Sequence, residues 1–375
     1  MTPPALLADL VAIPSVCGTP NGPIAGRVQA MLAAHGVPCH VAPGPEGDRV
    51  NLFATIGPAD RPGIVLSGHM DVVPADPAGW TSDPFRLAQA GGRLTGRGAV
   101  DMKGFLACMI AMVPDYLALP LQRPVHLAFS YDEELGCRGV PHLLDRIGQY
   151  CAPPMGCIVG EPSDMQPVLS HKGKVALELG FTGVGGHSST PALGANAIYP
   201  AARLAAMAGD MAAALATGPV QDAAFDPPHS TLQVGTIRGG SGVNIIPDRC
   251  TMELELRTIP GQAADAVLAA LMAEQDRLAA ETGTGTIRRE LSRYPALAAD
   301  NADLAALAAR LSGQTPRQSV SYGTEAGLFA RAGIPAIICG PGSITRAHKP
   351  DEYILESELD ACMTMLRALG SELCG

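Results

Sequence analysis

The chain has 375 residues, of which 47% are hydrophobic and 17% charged, a composition typical of a globular protein with a large buried core. Its formal net charge of -10 comes from 26 basic and 36 acidic residues and argues against nucleic acid as a partner. No apolar run reaches the about 20 residues that span a bilayer, and the start lacks the basic segment of a signal peptide. Ten cysteines without regular spacing do not indicate a disulfide framework, so we expect a cytosolic protein.

Several apolar runs end abruptly in polar residues, as buried strands of a mostly parallel sheet do. VNLFATIG and PGIVLSG come first, followed by a segment with helical spacing at residues 102–113, and then by RPVHLAFSY, MGCIVG and IPAIICG. Strands alternating with helices predict an α/β domain. The polar residues after these runs are His69, Asp71, Glu133, Glu134, Glu161 and, after a glycine-rich loop, His348.

The middle of the chain has a different pattern, in which strands alternate between apolar and polar residues. The predicted order is strand, helix, strand, strand, helix, strand, at residues 173–182, 195–216, 231–238, 249–257, 261–283 and 286–294. This βαββαβ order predicts a small α+β, ferredoxin-like domain of residues 173–294, inserted into a discontinuous catalytic domain of residues 1–172 and 295–375.

The residues at the strand ends are expected to share one crevice, because ligands bind outside the carboxyl ends of parallel strands. Carboxylates that converge there repel one another unless cations neutralise them. Mixed imidazole and carboxylate ligands suit zinc or cobalt better than magnesium. Two metal ions about 3.5–4 Å apart would also need a bridging carboxylate. The sequence therefore predicts a dimetal site.

Asp101 lies in GRGAVDMKG, a glycine-rich turn in which backbone can approach a metal centre closely. Two other interpretations are a helix-capping aspartate and a fragment of a dinucleotide-binding loop, although the third glycine of that loop is missing. Asp71 stands two residues after His69, so both side chains point the same way along extended backbone. Asp71 could then orient the imidazole through its free N–H, or be a turn aspartate that faces solvent.

Glu133 and Glu134 are adjacent, and in an extended segment their side chains would point in opposite directions. One carboxylate could then bind metal while the other acts as the general base that takes a proton from water and returns it to the leaving amine. The residues alone do not decide which carboxylate has which role.

Nine segments resemble the acetylornithine deacetylase and succinyl-diaminopimelate desuccinylase branch of the dimetal aminoacylase and carboxypeptidase family. They run from residue 67 to residue 353: SGHMDVVP, GRGAVDMKG, DEELGCRG, GEPS, GHSS, GVNIIPDRC, LRTIPG, YGTEA and GPGSITRAHKPDEY. The resemblance implies a catalytic α/β domain and an inserted domain that dimerises and acts as a lid. It also implies a metal-dependent amidohydrolase.

The resemblance further assigns roles to individual residues. One metal ion would be held by His69, Asp101 and Glu161, and the other by Asp101, Glu134 and His348. Glu133 would be the general base, and Asp71 the partner of His69.

The remaining roles concern the substrate. The resemblance implies that His187 reaches the active site of the other subunit and stabilises the tetrahedral oxyanion there. The residues that match substrate-contacting positions are Asn244, Arg257, Gly323 and Thr324. Arg257 suits a carboxylate. We hypothesise that Glu325 binds the side-chain ammonium of ornithine and so helps to recognise this amino acid. On the residues alone, His187 and Asn244 would be turn residues, Arg257 a charge at a strand end and Glu325 an exposed loop residue.

The expected reaction is hydrolysis of N2-acetyl-L-ornithine to L-ornithine and acetate, a step of arginine biosynthesis, by a homodimer with two divalent ions, Zn²⁺ or Co²⁺. A desuccinylase, a general aminoacylase and a dipeptidase are alternatives on the same metal centre. A serine hydrolase is disfavoured, because the chain has no G-x-S-x-G motif. A catalytically silent relative that acts as a binding module is disfavoured too, because every expected ligand type is present.

Overall fold

The computed structural model describes all residues from 1 to 375 and divides into two compact units. The first unit contains residues 1–170, 297–319 and 324–375, and the second contains residues 171–296 and 320–323. These divisions lie within two residues of the predicted boundaries, but the short segment 320–323 was not predicted to join the inserted unit. No helix is both long and apolar enough to cross a membrane.

The first unit is an α/β domain built on an eight-stranded sheet with the order β1-β2-β6-β3-β7-β16-β8-β15. Its strands are β1 (Cys39–Pro43), β2 (Val50–Ile56), β3 (Ile64–His69), β6 (Val125–Ser130), β7 (Gly156–Pro162), β8 (Val168–His171), β15 (Arg317–Val320) and β16 (Ala336–Gly340). The four strands from β6 to β16 in this order are mutually parallel, while β1 pairs antiparallel with β2, β2 with β6, and β8 with β16. A small second sheet contains β4 (Ala88–Ala90), β5 (Arg93–Thr95) and β17 (Tyr353–Leu355).

The helices of the first unit are α1 (Pro3–Val11), α2 (Gly22–Ala33), α3 (Gly104–Ala111), α4 (Val113–Ala118), α5 (Val140–Ile147), α8 (Ala302–Ser312), α9 (Ala326–Arg331) and α10 (Glu356–Glu372). All of them except α5 and α9 contribute apolar side chains to one continuous core with the sheet. The strands β3, β6 and β7 are buried along their whole length, which explains their nearly continuous apolar sequences.

The second unit has the predicted βαββαβ order, which confirms the α+β class of the inserted domain. Its sheet has the order β11-β13-β9-β14 and is antiparallel throughout. The elements are β9 (Gly173–Thr182), α6 (Ile198–Thr217), β11 (Thr231–Gly239), β13 (Arg249–Thr258), α7 (Ala264–Thr282) and β14 (Gly285–Tyr294), with a short ladder of β10 (Gly186–His187) and β12 (Ile245–Ile246). Gly283, in the left-handed conformation, ends α7.

Candidate metal centre

The parallel strands deliver four polar side chains to one edge of the sheet. His69 is the last residue of β3, and Glu161 is the second-to-last residue of the neighbouring strand β7. Glu133 and Glu134 follow the end of β6, the neighbour on the other side of β3. The carboxyl ends of parallel strands meet at the same edge, so the convergence predicted from the sequence follows directly from this topology.

The Asp101 carboxylate lies between two imidazoles. Its Oδ1 is 3.1 Å from Nε2 of His69, and its Oδ2 is 3.3 Å from Nε2 of His348. Asp101 is buried and occupies non-helical backbone in the turn that leads into α3. Gly98 begins this turn with φ 78°, and a Cβ there would lie 2.5 Å from a methyl group of Val72, so no larger residue fits. The two oxygens of the Asp101 carboxylate therefore face the imidazoles of two different histidines. A carboxylate that bridges two metal ions needs such an arrangement, in which each oxygen lies beside the ligands of one ion.

Two further carboxylates complete the cluster. Oε1 of Glu134 is 3.0 Å from Nε2 of His348, and Oε1 of Glu161 is 3.7 Å from Nε2 of His69. The donor atoms of His69, Asp101 and Glu134 lie within 4.8 Å of one another, and so do those of His69, Glu133 and Glu161. The structure therefore brings together all five predicted metal ligands, and it also places Glu133 within ligand distance.

The electrostatics of the cluster fit a site for cations. Burial and the charge of Asp101 raise the pKa of Glu161 well above its usual value, and burial raises the pKa of Glu133 to about 8. Although burial opposes it, hydrogen bonds with His348 and His69 hold the pKa of Asp101 below its usual range. Hydrogen bonds with Asp101 and Glu134 raise the pKa of His348 to about 10. Without cations, protons must offset the crowded negative charge, and nitrogen and oxygen donors of this kind suit zinc or cobalt.

Asp71 organises the cluster through two sets of contacts. Nδ1 of His69 lies 2.9 Å from the backbone carbonyl of Asp71 and 3.6 Å from its carboxylate. A carbonyl oxygen only accepts, so Nδ1 carries a hydrogen, and Nε2, which faces Asp101, is the nitrogen that would bind a metal ion once its own proton is displaced. The Asp71 carboxylate also accepts the backbone N–H groups of Glu133 and Glu134, both at 3.1 Å. The nearer partner of the His69 imidazole is thus the Asp71 carbonyl, whereas the sequence had predicted the Asp71 carboxylate.

Glu133 and Glu134 do have different surroundings, but not for the expected reason. They lie in a turn, closed by N–H groups of Gly136 and Cys137 that donate to the Glu133 carbonyl, and not in extended backbone. The Cys137 thiol donates to Oε1 of Glu133 at 3.2 Å, while Glu134 faces His348. The turn, and not strand alternation, separates the two carboxylates.

His187 lies in the exposed β10 strand of the inserted domain. Its Nδ1 is 3.1 Å from the backbone nitrogen of Ser189 and 2.7 Å from the hydroxyl of the same residue. A backbone N–H only donates, so Nδ1 accepts and the neutral ring carries its hydrogen on Nε2. The imidazole is therefore arranged as a hydrogen-bond donor at its outer nitrogen.

Two other predicted substrate residues also belong to the inserted domain. Asn244 is exposed, and its backbone carbonyl accepts the N–H of Ser188, next to His187. Arg257 is partly buried near the end of β13, where its Nε donates to Glu255 at 2.6 Å. The Glu255 carboxylate holds the guanidinium in place.

The loop that contains Gly323, Thr324 and Glu325 is tightly packed. A Cβ on Gly323 would lie 2.2 Å from the ring of Tyr294, so only glycine fits there. Thr324 is buried, and its hydroxyl accepts the N–H of Ala326 at the start of α9.

Glu325 is 1% exposed, so the interpretation as an exposed loop residue is wrong. Its Oε2 accepts the hydroxyl of Ser67, two residues before His69, at 3.2 Å. Burial raises the pKa of Glu325, and hydrogen bonds with Ser130 and Ser67 oppose the rise. The carboxylate thus lies inside the catalytic domain, and its proposed contact with ornithine stays a prediction.

Two buried charged residues beside Asp101 were not among the site residues predicted from the sequence. Glu352 accepts hydrogen bonds from the Asp101 turn, and Arg97 donates to Glu352. Both residues lie in segments used for the family resemblance, GRGAVDMKG and GPGSITRAHKPDEY, and this was the only signal that marked them.

The sequence matches the peptidase family M20/M25/M40 over residues 65–372. It is 35% identical to an acetylornithine deacetylase of Myxococcus xanthus, over 99% of this chain and 97% of that protein. A second acetylornithine deacetylase, of Proteus mirabilis, is 31% identical over 98% of this chain and 96% of its own length.

Solved structures share the fold at lower identity. A metallo-carboxypeptidase of the M20 family from Sulfolobus solfataricus superposes with a TM-score of 0.78 at 18% identity, over 99% of both chains. A tripeptidase of Staphylococcus aureus gives a TM-score of 0.75 at 20% identity, over 99% of this chain and 97% of that one. A dinuclear metal-binding M20 peptidase of Bacillus subtilis gives a TM-score of 0.66 at 18% identity, over 98% of this chain and 96% of that one.

Proposed function

Because the chain belongs to the M20/M25/M40 family of peptidases and is a metal-dependent hydrolase, we propose that it removes the acetyl group from N2-acetyl-L-ornithine. The products would be L-ornithine and acetate, and the reaction would serve arginine biosynthesis in the cytoplasm. The observation that carries the hydrolytic chemistry is the Asp101 carboxylate between His69 and His348. The names of the 31–35% identical relatives support the substrate.

The family resemblance supplies the ligand sets, and the short distances between these residues support them. We assign His69, Asp101 and Glu161 to one ion, and Asp101, Glu134 and His348 to the other, with Zn²⁺ or Co²⁺ as the metal. When bound, the two cations polarise the amide carbonyl and activate a water molecule. The donor set of two imidazoles and three carboxylates suits these metals.

Glu133 then supplies the acid–base chemistry. It accepts the proton of the attacking water and returns it to the amine that leaves. Without cations, burial raises the pKa of Glu133 to about 8, and two cations bound beside it would lower that pKa and leave the carboxylate free to accept a proton near neutral pH. The Cys137 thiol donates to the carboxylate and limits its rotation.

The inserted domain contributes to substrate recognition in this proposal. Nε2–H of His187 would stabilise the oxyanion in the active site of the other subunit of a homodimer. Arg257 would bind the substrate carboxylate, Asn244, Gly323 and Thr324 would contact the substrate, and Glu325 would read the ornithine ammonium. The Ser189 hydrogen bond supports the donor role of His187.

Exposed apolar side chains support the proposed dimer. Tyr199 and Val243 are 69% and 102% exposed, and Leu193, Ile245 and Val184 are exposed in the same domain. Tyr199, Val243 and Ile245 line the same surface depression, and contiguous exposed apolar surface is typical of protein interfaces. Light scattering of the purified protein tests the proposal, and Val243→Lys should shift a dimer to the monomer.

A substrate panel tests the reaction. Protein reconstituted with Zn²⁺ or Co²⁺ is offered N2-acetyl-L-ornithine, N-acetyl-L-methionine, N-succinyl-diaminopimelate and a dipeptide, and kcat/KM is measured for each. The proposal expects the highest value with N2-acetyl-L-ornithine and loss of turnover after chelation. A higher value for another member of the panel would reassign the substrate, and turnover that survives chelation would exclude the metal mechanism.

A further inference from the structure

Glu352 is a buried carboxylate that no step of the proposed reaction uses. It is 1% exposed and precedes β17, which pairs with β5 of the small second sheet. Its Oε2 accepts from the guanidinium of Arg97 at 2.6 Å, and Arg97 is 3% exposed. The same guanidinium reaches the carbonyl of Pro74 at 3.4 Å and lies 5.1 Å from the ring centre of Trp80. This buried pair is therefore held from several sides.

The other oxygen of Glu352 binds the turn that carries the bridging aspartate. Oε1 accepts the backbone N–H of Val100 at 3.0 Å and that of Asp101 at 3.1 Å. The backbone carbonyl of Glu352 also accepts the N–H of Gly96, at the start of the turn. Three contacts thus fix both ends of the short segment that leads to Asp101, and they connect residues about 250 positions apart along the chain.

We propose that Glu352, held by Arg97, is a positioning residue that aims the Asp101 carboxylate at both metal positions. This inference rests on the proposed dimetal site. Asp101 has non-helical backbone, with φ -123° and ψ 93°, so no continuous helix holds it in place. The only side chain that binds its backbone N–H is Glu352. A small rotation of the turn would move both carboxylate oxygens away from His69 and His348 together.

A carboxylate is suited to this position because one oxygen accepts two N–H groups while the other accepts a guanidinium. In Glu352→Gln, the amide oxygen can still accept from the turn, but the NH₂ group meets the donors of Arg97. Glu352→Ala removes every side-chain contact. Arg97→Lys keeps a positive charge but loses the fixed fork of the guanidinium. These variants therefore remove the contacts in steps without touching a metal ligand.

The test is a calorimetric titration of the metal-free full chain with Co²⁺ alone. Residues that orient metal ligands typically contribute 10–100-fold to metal affinity. We expect Glu352→Ala to lower the Co²⁺ affinity by about that factor, and Glu352→Gln and Arg97→Lys to lower it less. Variants that bind two Co²⁺ ions with wild-type affinity would overturn the inference. Glu352→Gln keeps the test decisive if the alanine variant does not fold.

Gln275 supplies a matched control in the inserted domain, which holds none of the proposed ligands. It is fully buried, and its amide donates to the backbone carbonyls of Gly180 and Ile287. Gln275→Ala should lower the melting temperature and leave the Co²⁺ affinity unchanged. If it weakened Co²⁺ binding as much as Glu352→Ala, the effect would be general destabilisation and the inference would fail. A wild type that binds Co²⁺ but leaves N2-acetyl-L-ornithine intact would refute the proposed substrate alone.

Discussion

Replacing Glu133 and Glu134 one at a time by glutamine should separate catalysis from metal binding. Glutamine keeps the shape of the side chain but cannot take a proton from water. A general base typically contributes a rate factor of about 10²–10⁴. Glu133→Gln should therefore lower kcat by about this factor, which corresponds to about 3–5 kcal/mol of activation free energy. Its amide oxygen can still accept the Cys137 thiol, which lies 3.2 Å from the carboxylate, so the turn should persist.

Glu134→Gln should fail in a different way. Its carboxylate lies 3.0 Å from Nε2 of His348 and belongs to the proposed second ion. A neutral amide is a weaker ligand, so one metal equivalent should be lost at moderate Zn²⁺ concentration, and excess metal should restore part of the activity. Glu133→Gln should retain two equivalents, and excess metal should restore nothing.

The assay combines elemental analysis of bound metal with initial rates of acetate release from N2-acetyl-L-ornithine. The result matters because donor atoms of His69, Glu133 and Glu161 also lie within 4.8 Å of one another. If Glu133→Gln lost a metal equivalent and regained activity with excess metal, Glu133 would be a ligand, and its assignment as the general base would be refuted.

Three further predictions concern residues around and away from the cluster. Asp71→Asn should lower metal affinity or activity about 10–100-fold, measured by calorimetry and initial rates, because the carboxylate supports His69; unchanged affinity and activity would contradict this role. His187→Ala should lower kcat by about 10²–10³-fold, the usual share of one oxyanion donor, and leave the metal content unchanged; an unchanged kcat would rule it out as that donor. Burial lowers the pKa of His126 to about 4, so this residue stabilises the fold above about pH 6.5 and loses that contribution as the pH falls towards 4. The difference in unfolding free energy between wild type and His126→Leu should therefore change by about 3 kcal/mol between pH 7 and pH 4, measured by urea denaturation; a constant difference would refute the shift.

The elements that could be predicted from the sequence are those in which buried residues recur at a regular spacing along the chain. Buried parallel strands have nearly continuous apolar sequences, so their ends, and with them His69 and Glu161, could be located without coordinates. Alternation along residues 173–182 likewise predicted β9 with both of its ends. The helix expected at residues 102–113 differs, because Asp101 and Met102 are non-helical and α3 begins only at Gly104.

Contacts between distant segments could not be predicted in this way. The separation of Glu133 from Glu134 depends on a turn in which Asp132 and Cys137 have positive φ angles, 49° and 57°. No pattern of hydrophobicity encodes that conformation. The burial of Glu325 depends in the same way on a partner, Ser67, that lies 258 residues earlier in the chain.

These distant contacts connect the family segments, which are spread over most of the chain. Asp71, in SGHMDVVP, accepts the N–H groups of DEELGCRG, and Ser67 in the same segment donates to Glu325 of YGTEA. Arg97, in GRGAVDMKG, is paired with Glu352 of GPGSITRAHKPDEY. The contacts of Glu325 and Glu352 are buried and those of Asp71 are partly buried, so losing one partner leaves the other with an unsatisfied charge or hydrogen-bonding group in a region of low dielectric constant. A substitution in one segment therefore changes the surroundings of a residue in another segment.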